Sequence, residues 1–247
     1  MKNAKKDFER RHIPNAVYFD IDDVSDRSNP LPHMLPSENQ FSRHASELGL
    51  SNDDKIVVYD TNGGHSAAAR VWWTFRVFGH DKISILDGGS LKWFKKGLPT
   101  ENGVKPIEKG QFNGRYSDSL VASISDVERN LSQKTVQIVD GRSSGRFNGT
   151  APEPRIELPS GHIPNSINIP VLNFFKEADD MTLKSKKEIK ALFLNSKVNL
   201  NESIITTCGS GVTASALCFC LFLIGHKKAS VYDGSWTEWA SKSITET

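Results

Sequence analysis

Ile204-Ile205-Thr206-Thr207-Cys208-Gly209-Ser210-Gly211-Val212-Thr213-Ala214 reads as a short apolar strand, a glycine-bearing loop opened by a cysteine, and the first turn of a helix. The β-branched residues favour the strand, and the apolar run from Ala214 to Ile224 continues as the helix. A strand passing into a helix through a tight loop is one step of an α/β domain with a mostly parallel sheet. Ligands of such sheets bind beyond the carboxyl ends of the strands, which is where Cys208 falls. Backbone N–H groups from Gly209, Ser210, Gly211, Val212 and Thr213, together with a helix N-terminus, can stabilise an anion there. The thiolate is the reactive form of cysteine, so this setting suits a nucleophile. A small buried cysteine would also fit the position, and the rest of the chain has to decide between the two.

Working outward, the chain repeats itself. His12-Ile13-Pro14-Asn15-Ala16 is answered by His162-Ile163-Pro164-Asn165-Ser166, and each leads into a strand-like stretch, Val17–Asp20 and Ile167–Pro170. Lys55–Asp60 answers Ser203–Cys208, Gly79-His80 answers Gly225-His226, and Asp87-Gly88 with Trp93 answers Asp233-Gly234 with Trp239. The order is kept, so the chain is read as a duplicated domain. Strands are expected at Lys55–Asp60, Lys82–Asp87, Val136–Asp140 and Ser203–Thr207, and helices at Ser66–Phe78, Lys186–Leu194 and Thr213–Leu223. The polar stretch from Gly97 to Ser119 suits a connector, which divides the chain into residues 1–109 and 110–247. The position matching Cys208 in the first copy is Asp60. A carboxylate cannot do thiolate chemistry, so one copy reads as active and the other as scaffold.

Composition narrows the classes of function. Hydrophobic residues make up 37% and charged residues 24%, as in an ordinary globular chain, and a net charge of +2 gives no reason to propose nucleic acid or a membrane surface as partner. The longest apolar run is far short of the roughly 20 residues that span a bilayer. Three cysteines, at 208, 218 and 220, make no disulfide framework, and a reducing intracellular compartment is the expectation. The basic opening, Met1–Arg11, is a poor mitochondrial presequence. Cys218 and Cys220 lie in the apolar helical run and read as core. No cysteine–histidine spacing resembles a zinc site, so no metal is expected. The loop from Asp140 to Arg155 carries Arg142, Arg146 and Arg155 after a strand, where arginines can bind a carboxylate bidentately or simply face solvent.

The Cys208–Ala214 loop resembles the active-site loop of the 3-mercaptopyruvate sulfurtransferases, two-domain members of the rhodanese superfamily. The resemblance extends through Gly145-Arg146-Phe147, Pro152-Glu153-Pro154-Arg155, Gly161-His162-Ile163-Pro164, Ser25-Asp26-Arg27, His33–Pro36, Arg70-Val71-Trp72-Trp73 and Tyr232–Trp236. The sister thiosulfate enzymes carry Arg and Lys where this chain has Gly209 and Ser210, so the neutral loop favours a monocarboxylate substrate. Related phosphatases need an arginine at the position of Ala214, which disfavours that activity. The resemblance implies two tandem rhodanese-like domains, each a mostly parallel sheet flanked by helices. It also implies sulfur transfer from 3-mercaptopyruvate through a Cys208 persulfide to cyanide or a thiol such as thioredoxin or a small dithiol. Arg146 and Arg155 would hold the substrate, the loop N–H groups of Gly209, Gly211, Val212 and Thr213 would stabilise the persulfide, and Ser210 with His12 would handle protons. No cofactor is implied, and the setting would be cytoplasmic or mitochondrial.

The departure is at the front. Val136–Asp140 has no equivalent before His12, so the first domain is expected to lack a strand, leaving unpaired backbone groups and an open apolar face. An acidic residue that the family places upstream has Asn3 or nothing in its place. An N-terminally incomplete or alternative form is therefore the expectation, with two outcomes: an active sulfurtransferase, or a poorly active variant serving in binding or regulation.

Overall fold

The strand expected before Cys208 lies at the centre of a sheet in the computed structural model, which describes residues 4–176 and 180–242. The first half of the chain forms α1 (Ala4–Arg10), α2 (Ile21–Val24), α3 (Glu38–Glu47), β1 (Ile56–Val58), α4 (Ala67–Val77), β2 (Ile83–Ile85) and α5 (Gly89–Lys95). The second half forms β3 (Val121–Ala122), α6 (Ile124–Gln133), β4 (Val136–Asp140), α7 (Ser144–Phe147), β5 (Ile167–Asn168), β6 (Phe175–Lys176) and β7 (Thr182–Leu183). It continues with α8 (Lys186–Asn195), β8 (Ser203–Thr207), α9 (Val212–Leu223), β9 (Ala229–Tyr232) and α10 (Ser235–Lys242). Three helices begin with capping boxes that satisfy otherwise orphaned donors: Ser37 with Gln40, Ser123 with Asp126 and Ser185 with Glu188.

The second half carries a five-stranded parallel sheet in the order β3-β9-β8-β4-β5. β8 pairs in register with β4 from Ser203↔Val136 to Thr207↔Asp140, which fixes where the chain leaves the sheet at Cys208. α9 is apolar nearly all round because it is buried between this sheet and α4 of the other half. Trp72 on α4 packs edge-on against Phe219 of α9 with ring centroids 4.9 Å apart, and one continuous core joins the two halves.

In the first half, β1 and β2 form a parallel pair, and no described strand stands where β4 stands in the second. Val57 of β1 is 61% exposed, whereas β8 is buried from Ile204 to Thr207. The strand expected at Val17–Asp20 does not form. Its counterpart β5 exists because β4 lies beside it; Val17–Asp20 has no such neighbour, and Asp20 instead caps α2 by accepting the N–H groups of Asp22 and Asp23. Asn3 lies outside the described residues.

The duplication is visible in the contacts. His12 stacks on Phe8 at 4.1 Å with Nδ1 2.8 Å from the Phe8 carbonyl; His162 stacks on Phe147 at 3.9 Å with Nδ1 3.0 Å from the Phe147 carbonyl. Each half also reaches across to the other through the same aspartate. Asp233 accepts the N–H of Leu35 at 2.9 Å, and Asp87 accepts the N–H of Leu183 at 2.8 Å. After an exposed run at 102–109, the chain returns along the first half, where Gly110 donates to the Ser46 carbonyl and Phe112 and Gly114 donate to the Ser46 and Ser42 hydroxyls.

Candidate active site

Cys208 is only 2% exposed at the carboxyl end of β8. The loop turns in three residues because Gly211 adopts φ +74° as N-cap of α9, a region that favours glycine. The space there is as restrictive as the angle: a Cβ on Gly211 would lie 2.6 Å from the Asp233 carbonyl oxygen and 2.9 Å from Arg70 Nη1. The loop is braced from β9 and α10. Ser235, fully buried and itself at φ +49°, donates to the Tyr232 carbonyl and accepts N–H bonds from both Cys208 and Gly211, at 3.2 and 3.1 Å. The Cys208 and Gly209 carbonyls are taken by the N–H groups of Trp236 and Thr237, the orphan donors at the start of α10, and the Thr237 hydroxyl adds a second bond to Gly209. The N–H groups of Gly209, Ser210, Val212 and Thr213 are left without an acceptor among the described residues. The stretch that follows the thiol thus carries four donors unclaimed among the described residues.

The first half shows what such donors do. Asp60, at the position matching Cys208, accepts the N–H groups of Asn62 and Gly64 on Oδ1 and of Ser66 and Ala68 on Oδ2, at 2.8 to 3.3 Å. The loop before α4 therefore closes around an anion carried by its own chain. In the second half the same strand–loop–helix step presents a thiol in place of the carboxylate.

The three arginines of the Asp140–Arg155 loop have three different situations. Arg142 is fully buried: it grips Asp140 through Nε and Nη2, reaches Glu153 through Nη1 at 2.9 Å and lies over the Trp236 ring at 4.3 Å. Glu153 passes this order to Arg146, binding its Nε at 3.1 Å and Nη2 at 2.5 Å. The Arg146 guanidinium comes so close to Gly209 that a Cβ there would lie 2.9 Å from Nη2, which brings it to the Cys208 loop while it remains partly exposed. Arg155 is half-buried and has no hydrogen bond or ion pair from its side chain among the described residues. Its loop is tied down behind it, where the Pro159 carbonyl accepts from Trp236 Nε1. Arg142, whose role the sequence left open, is thus the buried post on which Arg146 is mounted.

Ser210 is half-exposed, and its hydroxyl has no partner among the described residues. His12 is buried against Phe8, with Nε2 4.0 Å from Glu101, and no hydrogen bond joins it to Ser210. The structure therefore gathers Cys208, Gly209, Gly211, Val212, Thr213 and Arg146 at one place and holds His12 by its own neighbours. Ser235 and Arg70 stood in the sequence only as members of the motifs that carry the resemblance, with no role given to either. Arg70 projects from α4 to Asp233 at 2.6 Å and to the Gly211 carbonyl at 3.4 Å, a contact between residues 163 positions apart. Cys218 and Cys220 are core residues, and burial pushes both thiols up, Cys218 to about 12.

Two stretches, residues 3–96 and 123–242, match the rhodanese-like domain family. The chain is 43% identical to a rat 3-mercaptopyruvate sulfurtransferase over 99% of its own length and 82% of the relative. It is 42% identical to a rat thiosulfate sulfurtransferase over 100% of its length and 83% of that relative. Among solved structures, it is similar to the 3-mercaptopyruvate sulfurtransferase SseA of Escherichia coli, with TM-score 0.86 and 36% identity over 95% of this chain and 87% of the other. The Tum1 protein of Saccharomyces cerevisiae gives TM-score 0.90 at 31% identity, covering 99% and 87%.

Proposed function

The chain belongs to the rhodanese family as a tandem of two rhodanese-like domains, and on that premise we propose that it is a 3-mercaptopyruvate sulfurtransferase working through Cys208. The observation that carries the reading is the pairing of a cysteine with four unclaimed N–H donors, in a loop whose counterpart already closes around the Asp60 carboxylate.

The reaction runs in two balanced steps. The Cys208 thiolate attacks the sulfur of 3-mercaptopyruvate and forms an S–S bond while the C3–S bond breaks. The electron pair goes to C3 and spreads onto the keto oxygen as an enolate, which takes a proton to give pyruvate. Arg146, mounted on Glu153 and Arg142, and Arg155, whose guanidinium has no partner among the described residues, supply the charge-assisted bonds for the carboxylate and the developing enolate oxygen. The Ser210 hydroxyl, half-exposed in the same loop and without a partner among the described residues, is the proton carrier. His12, its Nδ1 engaged by the Phe8 carbonyl, would take part through Nε2. The terminal sulfur of the persulfide carries the negative charge, and the loop N–H groups hold it there. A second thiolate then attacks that outer sulfur, forms its own persulfide and returns the Cys208 thiolate, with ping-pong kinetics.

Overall identity does not divide the two sulfurtransferase activities, at 43% against 42%. The loop does: Gly209 and Ser210 carry no charge, and a neutral loop with one or two arginines suits a monocarboxylate better than thiosulfate. We further propose that residues 1–109 are the non-catalytic domain and 110–247 the catalytic one. The acceptor would be a small dithiol or a thioredoxin-like thiol in a reducing compartment, cytosol or mitochondrion, in keeping with three free cysteines. No described helix is long and apolar enough to cross a membrane. Pyruvate release from 3-mercaptopyruvate tests the function. The parent chain should turn over and Cys208→Ser should not; equal rates, or a clear preference for thiosulfate with cyanide, overturn the reading.

A further inference from the structure

The two halves exchange equivalent contacts, and one of them is built differently. At the crossing beside Asp60, Asp87 takes the Leu183 N–H and pairs with Lys92 at 3.8 Å, with side chains 29% and 51% exposed. At the crossing beside Cys208, Asp233 takes the Leu35 N–H and pairs with Arg70 at 2.6 Å, in a pair only 4% and 6% exposed. Arg70 does more than neutralise Asp233. Its Nη2 donates to the His33 carbonyl and its Nη1 to the Gly211 carbonyl, and its guanidinium lies 4.5 Å over Trp73. The Gly211 carbonyl also accepts from the Ser215 hydroxyl at 2.9 Å, while the Gly211 N–H is fixed by Ser235.

A trans peptide is planar, with its carbonyl and the following N–H on opposite sides. Holding the Gly211 oxygen toward Arg70 therefore sets the direction of the Val212 N–H, one of the four donors after Cys208 left without an acceptor among the described residues. We propose that Arg70 is a positioning residue for Cys208: an arginine of the non-catalytic half that orients the Gly211–Val212 peptide and with it the donors that stabilise the thiolate and persulfide. The proposal rests on the reading of Cys208 as the sulfur-carrying nucleophile. It makes the first half a working part of the site through a single side chain, where the Lys92 crossing supplies only a surface ion pair.

The test is the rate of iodoacetamide alkylation of Cys208 at fixed pH, measured with kcat and KM for 3-mercaptopyruvate in Arg70→Lys, Asp233→Asn and the control Lys92→Met. Arg70→Lys keeps the charge but not the two-armed grip, and is expected to lower the alkylation rate and kcat by about tenfold or more, with KM within about threefold of the parent. Lys92→Met is expected to leave all three unchanged. If Arg70→Lys does not give a parent-like thermal melt, Asp233→Asn reads the same clamp from its other end. An alkylation rate within about twofold of the parent in either folded variant overturns the proposal. So does failure of both to fold, because the pair would then be holding the fold and not aiming a peptide. A parent chain that alkylates at Cys208 but releases no pyruvate sinks the sulfurtransferase reading and leaves the alkylation comparison standing.

Discussion

Arg146 lies against Gly209: its Nη2 is 2.9 Å from the point where any larger residue would begin its side chain. A side chain at 209 would have to displace the end of Arg146, and with glycine there a guanidinium reaches the loop without a charge within the loop. Arg146 also holds the buried Glu153, whereas Arg155 holds nothing among the described residues. The two arginines should therefore separate on mutation. Arg155→Ala should raise KM by about 10- to 100-fold, the worth of a charge-assisted hydrogen bond, with an unchanged melting temperature. Arg146→Ala should raise KM similarly and also cost roughly 1–3 kcal/mol of stability, because Glu153 is left with Arg142 alone. Steady-state kinetics with thermal melts check both, and an Arg155→Ala variant with parent KM would remove it from the site.

Ser235→Ala should be costly although the serine never touches solvent. Two N–H groups, from Cys208 and Gly211, lose their acceptor inside the protein, and the methyl inherits the same positive φ. A loss of about 1–3 kcal/mol in denaturant unfolding is expected, together with slower alkylation of Cys208. A variant with parent stability would show that the loop does not depend on this brace.

The thiols should differ in reactivity. Burial holds Cys218 and Cys220 as neutral thiols well above neutral pH, since desolvation disfavours the charged form. Mass spectrometry after iodoacetamide treatment of the native chain at pH 8 should find the label on Cys208 alone. All three should label in denaturant, and Cys208→Ser should abolish native labelling. A label on Cys218 under native conditions would contradict the packing of α9.

Stability should fall on mild acidification, in part through His80. Its imidazole is packed between Phe75 and Phe112, and burial, the leading cause, lowers its affinity for protons below the ordinary value of 6.5. The unfolded chain then binds more protons than the folded one, so the contribution is present above about pH 6.5 and is lost as pH falls below it. Melting temperature should drop between pH 7 and pH 5, and His80→Phe should flatten that slope. Parallel curves for the two chains would assign the effect elsewhere.

What the sequence revealed was local. β8, the Cys208 loop and α9 could be read in advance because a β-branched run, glycines and an apolar helix follow one another within a few residues. The pairs at 12/162 and 87/233 gave the duplication, and the structure returns it as matching histidine stacks and matching aspartate crossings. What failed or was missed depends on residues distant in the chain. Val17–Asp20 has strand composition and no strand beside it. Ser235 acts through a hydroxyl 24 and 27 positions from its donors, and Arg70 through a partner 163 positions away. Spacing within one element carries no trace of such contacts. The repeated Asp-Gly at 87 and 233 was the available clue, since a residue kept in both copies beside the loop had a job in both.

Asp60 seats itself, and this has a consequence for the protein during turnover. A site whose anion changes from thiolate to persulfide and back changes its stabilisation each time it is loaded and discharged. Had both loops been of the Cys208 kind, loading and discharging sulfur would loosen and tighten the molecule at two edges at once. With a carboxylate of its own chain in one, that loop has no thiol to load, and α4, which follows it, carries Arg70 to the other.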